Sequence, residues 1–183
     1  MFKKFLSLAI ILLTLPILII LSTLIIISDG FPIFFTQKRI GKNNKIFTIY
    51  KFRTMKIDTP DVPTHLLTKS DSAYIPIGPF LRKYSLDELP QLLNLLNGDM
   101  AFIGPRPALH NQDDLIELRT KVGIDKLLPG VTGWAQVNGR DELSIETKVE
   151  KDLFYLKNES IFLDIKIFML TFFKVFKADG VKS

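Results

Sequence analysis

No cysteine occurs among the 183 residues. That excludes a thiol nucleophile, a disulfide framework and every zinc site built on thiolates. Histidine is scarce as well: His65 and His110 are too few for a histidine-rich metal site or a two-histidine mechanism. A Walker phosphate loop, a G-x-G-x-x-G fingerprint and a G-x-S-x-G elbow are all missing, so P-loop, Rossmann and α/β-hydrolase chemistry find no support. No recognised nucleic-acid-binding motif appears either. Neither a repeat, a low-complexity tract nor a linker divides the chain, and its length suits one domain. We read 1–183 as a single domain, with a membrane helix at 1–30 and a catalytic core at 31–183.

What the chain has in excess is apolar length at one end and positive charge just behind it. A net charge of +5 with pI near 9.3 suits an anionic partner, such as phospholipid headgroups or a nucleotide; nucleic acid is not expected. Residues 5–27 carry no charge and are long enough to cross a bilayer as a helix. No small-x-small cleavage site comes after them, which argues against a signal peptide. Pro16, in the middle of the run, removes a backbone hydrogen bond and favours a kink. Lys3 and Lys4 precede the run, and Lys38, Arg39, Lys42, Lys45, Lys51, Arg53 and Lys56 lie beyond it. The positive-inside rule keeps both flanks cytoplasmic. A helix that enters one leaflet, bends at Pro16 and returns satisfies both, with the Thr14 hydroxyl placed to partner a freed backbone group. The residues alone leave re-entry and crossing open.

Behind the run, 31–37 reads as extended, 41–45 as a turn and 46–53 as a strand, which together predict a small hairpin. Residues 57–79 read as a long loop. Leucine spacing predicts a helix over 89–96 that stops at Asn97-Gly98. Further helices are predicted over 112–121, 144–157 and 161–177, with a glycine-punctuated loop and strand at 128–140. In the last helix Lys166, Lys174 and Lys177 fall within an arc of about 80°, while Phe162, Met169, Phe172, Phe173 and Phe176 crowd the rest. That pattern suits a helix lying in a membrane interface; a buried core helix is the alternative. Asp164 lies outside the lysine arc and needs a partner or a purpose.

Asp87-Glu88 is the pair on which the chemistry turns. An aspartate can attack phosphorus, a neighbouring glutamate can hold Mg²⁺, and the arginine of Pro105-Arg106-Pro107 can grip a phosphate. The structural alternative is helix capping: Ser85 and Glu88 have capping-box spacing, although Pro90 prefers a first helical position. Arg82 could be a solvated charge, and Gly130, Gly133 and Gly139 could merely shape turns. Trp134 could stack on a base or fill the core.

Lys51-Phe52-Arg53-Thr54-Met55, the stretch from Leu81 through Ser85-Leu86-Asp87-Glu88-Leu89-Pro90-Gln91, and Gly98-Asp99-Met100 through Gly104-Pro105-Arg106-Pro107 together resemble the bacterial sugar transferase family. These are small monotopic phosphoglycosyl transferases. The stretch from Pro129-Gly130 through Gly133-Trp134-Ala135-Gln136-Val137-Asn138-Gly139-Arg140 continues the likeness, which runs in order over essentially the whole chain. The resemblance implies transfer of a sugar-1-phosphate from a UDP-sugar, of N-acetylhexosamine, glucose or galactose type, to undecaprenyl phosphate, with release of UMP. It implies Asp87 as the nucleophile of a covalent phosphosugar intermediate and Glu88 as the Mg²⁺ ligand. Lys51, Arg53, Arg82, Arg106, Gln136, Asn138, Arg140, Asp152 and Asp164 fall at its substrate-binding positions. It also favours re-entry of the N-terminal helix. Two departures concern that helix: Ser7 stands where members often carry an acid, and Leu15-Pro16 where Ser-Pro is common.

The expectation is therefore an α+β enzyme of the bacterial inner membrane. It has a re-entrant N-terminal helix, interfacial amphipathic helices, a small β-hairpin and a compact catalytic core on the cytoplasmic face. Membrane lipid, a UDP-sugar and undecaprenyl phosphate are its partners and Mg²⁺ its cofactor. The other readings are a non-catalytic basic membrane scaffold, which has no need of Asp87, Glu88 and Arg106 together, and an aspartate-dependent phosphohydrolase.

Overall fold

The computed structural model describes residues 2–59, 73–139 and 143–177, and the side chains of all of these except 2–6, 176 and 177. Arg140 and His65 lie outside the described residues, as do the side chains of Lys3, Lys4, Phe176 and Lys177. The architecture is mixed α+β, with one long apolar helix and two small sheets among the described residues.

Helix α1, Phe2–Asp29, includes Pro16. Its span Ser7–Asp29 is long and apolar enough to cross a membrane. Hydroxyl side chains of α1 satisfy themselves locally, as an apolar setting demands. Thr14 Oγ1 donates to the Ile10 carbonyl at 2.8 Å, Ser22 Oγ to Leu18 at 2.7 Å and Thr23 Oγ1 to Ile19 at 2.9 Å. Only one face of the C-terminal half of the helix packs inward. Leu12, Leu13, Ile17, Ile19 and Ile20 are exposed, whereas Leu21 and Ile25 are buried with Phe52, Ile75 and Leu81. Burying each such aliphatic side chain contributes about 1.5–3 kcal/mol. One face of the C-terminal half of α1 is thus built into the core.

Strands β1, Phe34–Ile40, and β2, Ile46–Phe52, form the expected antiparallel hairpin, with Phe34 opposite Phe52 and Ile40 opposite Ile46. Strand alternation divides the side chains of β2 between two packing partners. Ile49 and Lys51 share one face and Phe52 takes the other. Phe52 packs toward α1, while Ile49 packs with Leu95 and Met100.

Helix α2, Gly78–Lys83, leads into a 3₁₀ segment, Leu86–Gln91, and then into α3, Leu92–Asn97. The expected helix over 89–96 is therefore two pieces. Its end falls where Asn97-Gly98 placed it, since Gly98 has φ 88° and takes the left-handed cap. The buried Asn94 ties α3 to β2 by mimicking a strand neighbour. Its Nδ2 donates to the Thr48 carbonyl at 2.7 Å, and its Oδ1 accepts from the Tyr50 amide at 3.1 Å.

A second sheet pairs β3, Ala101–Ile103, with β4, Gly130–Thr132, in parallel. Strand β4 falls within the loop and strand expected over 128–140, of which Trp134–Val137 is instead helical, whereas β3 is too short to show a periodicity. Helix α4, Asp113–Lys121, lies between them in the chain; α5, Trp134–Val137, α6, Ile145–Asn158, and α7, Ile161–Lys177, come after β4. Ser144 caps α6 by accepting from the Thr147 amide.

Helix α7 is not a buried core helix. Ile167 is buried beside Val137 and Tyr155, and Leu163 and Leu170 pack on the same cluster. The outward face carries Phe162, Ile165, Phe168, Met169, Phe172 and Phe173, with Phe162 86% exposed. Lys166 holds its ammonium 5.5 Å from the centre of the Trp134 ring.

Candidate active site

The 3₁₀ segment sets the acidic pair. With three residues per turn, Leu86 and Leu89 eclipse one another and pack on the α1-side core. Asp87 and Glu88 are left pointing elsewhere, yet only 8% and 9% exposed. Ser85 precedes them at φ 54°, a left-handed conformation that is uncommon outside glycine, and its side chain makes no capping bond. The capping box is not formed. The Glu88 carboxylate is directed to cations instead.

Those cations come from two distant segments. Glu88 Oε1 accepts from Lys51 Nζ at 2.7 Å and from Arg106 Nη2 at 3.1 Å. Lys51 arrives from the β2 face it shares with Ile49, and Arg106 from the turn after β3. Arg82 approaches from α2. Its Nε donates to Thr54 Oγ1 at 3.0 Å and its Nη1 to Tyr74 Oη at 3.2 Å, with the guanidinium over the Tyr74 ring. Burial raises the Asp87 carboxyl above the ordinary carboxylate range, and the Glu88 charge adds to this; Lys51, Arg82 and Arg106 pull the other way. Burial likewise lowers the Lys51 ammonium, against the pull of Glu88.

Three glycines hold the Arg106 turn against β4. A Cβ on Gly104 would lie 2.4 Å from the Leu128 carbonyl oxygen, one on Gly130 2.1 Å from Gly104 N, and one on Gly133 2.1 Å from Gly104 O. Backbone packs on backbone here, which only glycine allows.

Five expected site residues thus converge: Lys51, Arg82, Asp87, Glu88 and Arg106. The others are placed elsewhere. Arg53 is buried at the exit of α1, where it pairs with the Asp29 carboxylate and donates to the carbonyls of Asp29 at 3.0 Å, Gly30 at 2.8 Å and Pro32 at 2.6 Å. Asp152 is 1% exposed, and its Oδ2 accepts from Nη2 and Nε of Arg119 at 2.6 and 3.1 Å. Burial raises its carboxyl and Arg119 opposes that rise. Asp164 accepts from the Tyr155 hydroxyl at 2.8 Å, which supplies the partner it needed; burial and that carboxylate push the phenol up. Asn138 is exposed and donates to the Trp134 carbonyl at 2.7 Å. Gln136 is buried, with both amide atoms lacking a protein partner among the described residues. Sequence reasoning missed Arg119 and Arg39, because an arginine in a charged helix or strand reads as solvated.

Mg²⁺ is commonly bound by one or two carboxylates together with substrate phosphates. Glu88 beside Asp87 fits that donor set. Among the described residues no group of three acidic or histidine side chains could form a protein-only cage.

A family model described as bacterial sugar transferase matches residues 1–178. The chain belongs to that family. It is 44% identical over 182 residues to the uncharacterized sugar transferase EpsL of Bacillus subtilis, covering 97% of this chain and 88% of that protein. It is 42% identical over 174 residues to the UDP-glucose:undecaprenyl-phosphate glucose-1-phosphate transferase of Escherichia coli, covering 91% of this chain and 38% of the relative. It is 36% identical over 170 residues to the undecaprenyl-phosphate galactose phosphotransferase of Salmonella typhimurium, covering 83% and 35%. The chain spans little more than a third of these two substrate-named relatives.

Proposed function

We propose that this sugar transferase moves a hexose-1-phosphate from a UDP-hexose to undecaprenyl phosphate and releases UMP. The observation that carries the reading is the buried Asp87-Glu88 pair facing Lys51 and Arg106 in a chain of this family. Glucose and galactose appear in the names of the two relatives above, which lend no support to an N-acetylhexosamine donor. Residues 1–183 act as one unit in this proposal.

In the first step an Asp87 oxygen attacks the β-phosphorus of the donor. The bond from that phosphorus to the bridging oxygen breaks, and UMP leaves with the electron pair. In the second step a phosphate oxygen of the lipid attacks the same phosphorus and expels the Asp87 carboxylate, which leaves a lipid diphosphate sugar. Lys51, Arg82 and Arg106 hold the phosphate oxygens as charge shifts among them. Glu88 keeps Lys51 and Arg106 in place and would hold Mg²⁺, which offsets diphosphate charge when bound.

The same reading sets the chain on the cytoplasmic face of the inner membrane, with α1 re-entrant and the aromatic face of α7 in the interface. Basic residues flank α1 on both sides, and Pro16 has no N–H to donate to the Leu12 carbonyl one turn earlier. The exposed side of α1 and the outer face of α7 are both apolar.

Membranes holding the protein are incubated with undecaprenyl phosphate and a panel of UDP-sugars, and UMP is measured. Catalytic UMP release with UDP-glucose or UDP-galactose, dependent on the lipid phosphate, is expected. Turnover without lipid would instead mark a hydrolase, and no turnover with any donor a scaffold.

A further inference from the structure

The Pro105-Arg106-Pro107 turn is gripped through its main chain. Four consecutive carbonyls accept from three elements, β1, β4 and α4. The Pro105 oxygen accepts from the Gly130 amide at 2.9 Å, and the Ala108 oxygen from the Ile40 amide at 3.0 Å. The Arg106 oxygen accepts from Nη1 of Arg119 at 2.8 Å, and the Pro107 oxygen from Nη1 of Arg39 at 3.1 Å. Two donors are therefore strand amides and two are guanidinium groups.

The Arg119 guanidinium is itself oriented. Nε and Nη2 both rest on one oxygen of Asp152, which is buried on α6. A planar fork held along one edge has its remaining nitrogen aimed in a fixed direction. Here that direction ends on the carbonyl of Arg106, the residue whose side chain reaches Glu88.

We propose that Arg119, oriented by Asp152, is a positioning residue that holds the Arg106 main chain so that the Arg106 guanidinium stays at Glu88 and on the donor phosphates. This inference rests on the sugar-phosphate transfer proposed above, and it gives Asp152 an indirect role in place of direct substrate contact. A buried ion pair adds little net stability over an apolar pair of the same shape. What an apolar pair could not supply is the third bond.

The test uses the full chain in membrane mimic, as Arg119→Lys, Arg106→Ala and the double variant. Lysine keeps the charge opposite Asp152 but loses the planar fork. Arg119→Lys should unfold within a few degrees of the parent yet lower kcat by up to about a hundredfold, as displacement of a positioned group by about 1 Å does. Added to Arg106→Ala, it should cost nothing further, because the side chain it positions is gone. Independently of turnover, exchange of the Gly130 and Ile40 amides, which bond the Pro105 and Ala108 carbonyls of the turn, should quicken while the α4 and β2 amides keep their protection. Multiplying losses in the double variant, or unchanged exchange at Gly130 and Ile40, would overturn the proposal. If Arg119→Lys does not fold, Asp152→Asn, which keeps an acceptor oxygen, takes the same readouts. No UMP release by the parent from any UDP-hexose would defeat the transfer reading instead, and the exchange rates would then decide the positioning alone.

Discussion

Lys51 Nζ and Glu88 Oε1 lie 2.7 Å apart, which joins the hairpin strand β2 to the 3₁₀ segment that carries the acidic pair. Both side chains are largely buried, so the contact acts in a low dielectric, where charge and hydrogen bond weigh more than in water. Arg106 adds a second cation to the same carboxylate oxygen from a third segment of the chain.

Asp87→Asn should abolish turnover and stabilise the fold at neutral pH. The folded carboxyl value is raised by burial above its unfolded value. Neutral Asp87 therefore favours the fold, with its contribution fully present below the unfolded value and lost as pH rises through the folded one. Asparagine cannot ionise and escapes that loss. Thermal unfolding at pH 7 should show the variant above the parent, with the gain shrinking toward about pH 4, the ordinary carboxylate value. An equal gain at both pH values would show that Asp87 ionisation is not its source.

Lys51→Met should move the acid limb of kcat/KM to higher pH. Lys51 is the foremost cation holding Asp87 ionised, ahead of Arg82 and Arg106. Without it the carboxylate, the form a nucleophile requires, appears only at higher pH. Residual UMP release measured across pH checks this, and Arg82→Met should shift the limb the same way by less. An unmoved limb would separate it from Asp87.

Arg53→Met should destabilise the junction of α1 and the core by about 3 kcal/mol or more, because it strands the Asp29 carboxylate and three carbonyls. Asp29→Asn should cost less, since the three carbonyl bonds remain. Chemical unfolding in detergent ranks the two. The reverse order would place the stabilisation in the ion pair rather than in the carbonyl grip.

Single cysteines at positions 3 and 42 should both be shielded from an impermeant thiol reagent in intact cells and react once the membrane is permeabilised. Re-entry returns the chain to the leaflet it entered, whereas crossing would place position 3 outside. Labelling of position 3 in intact cells would establish crossing. Pro16→Ala should push some molecules toward that state.

The residues by themselves determined what depends on near neighbours. The apolar run of α1, the hairpin, the stop at Gly98 and the bounds of α7 all come from local pattern and backbone preference, and Asp87-Glu88 stood out by motif. Tertiary structure decided which charges meet. Glu88 takes its cations from Lys51 and Arg106. Arg53, only two residues from Lys51, is held by Asp29 instead, because β2 ends at Phe52 and the next residue lies against the exit of α1. Arg119 and Asp152 find one another across 33 positions, and β3 and β4 pair over three residues each. No local pattern encodes such contacts: a buried charge takes the partner that packing brings within reach, and packing belongs to the whole fold.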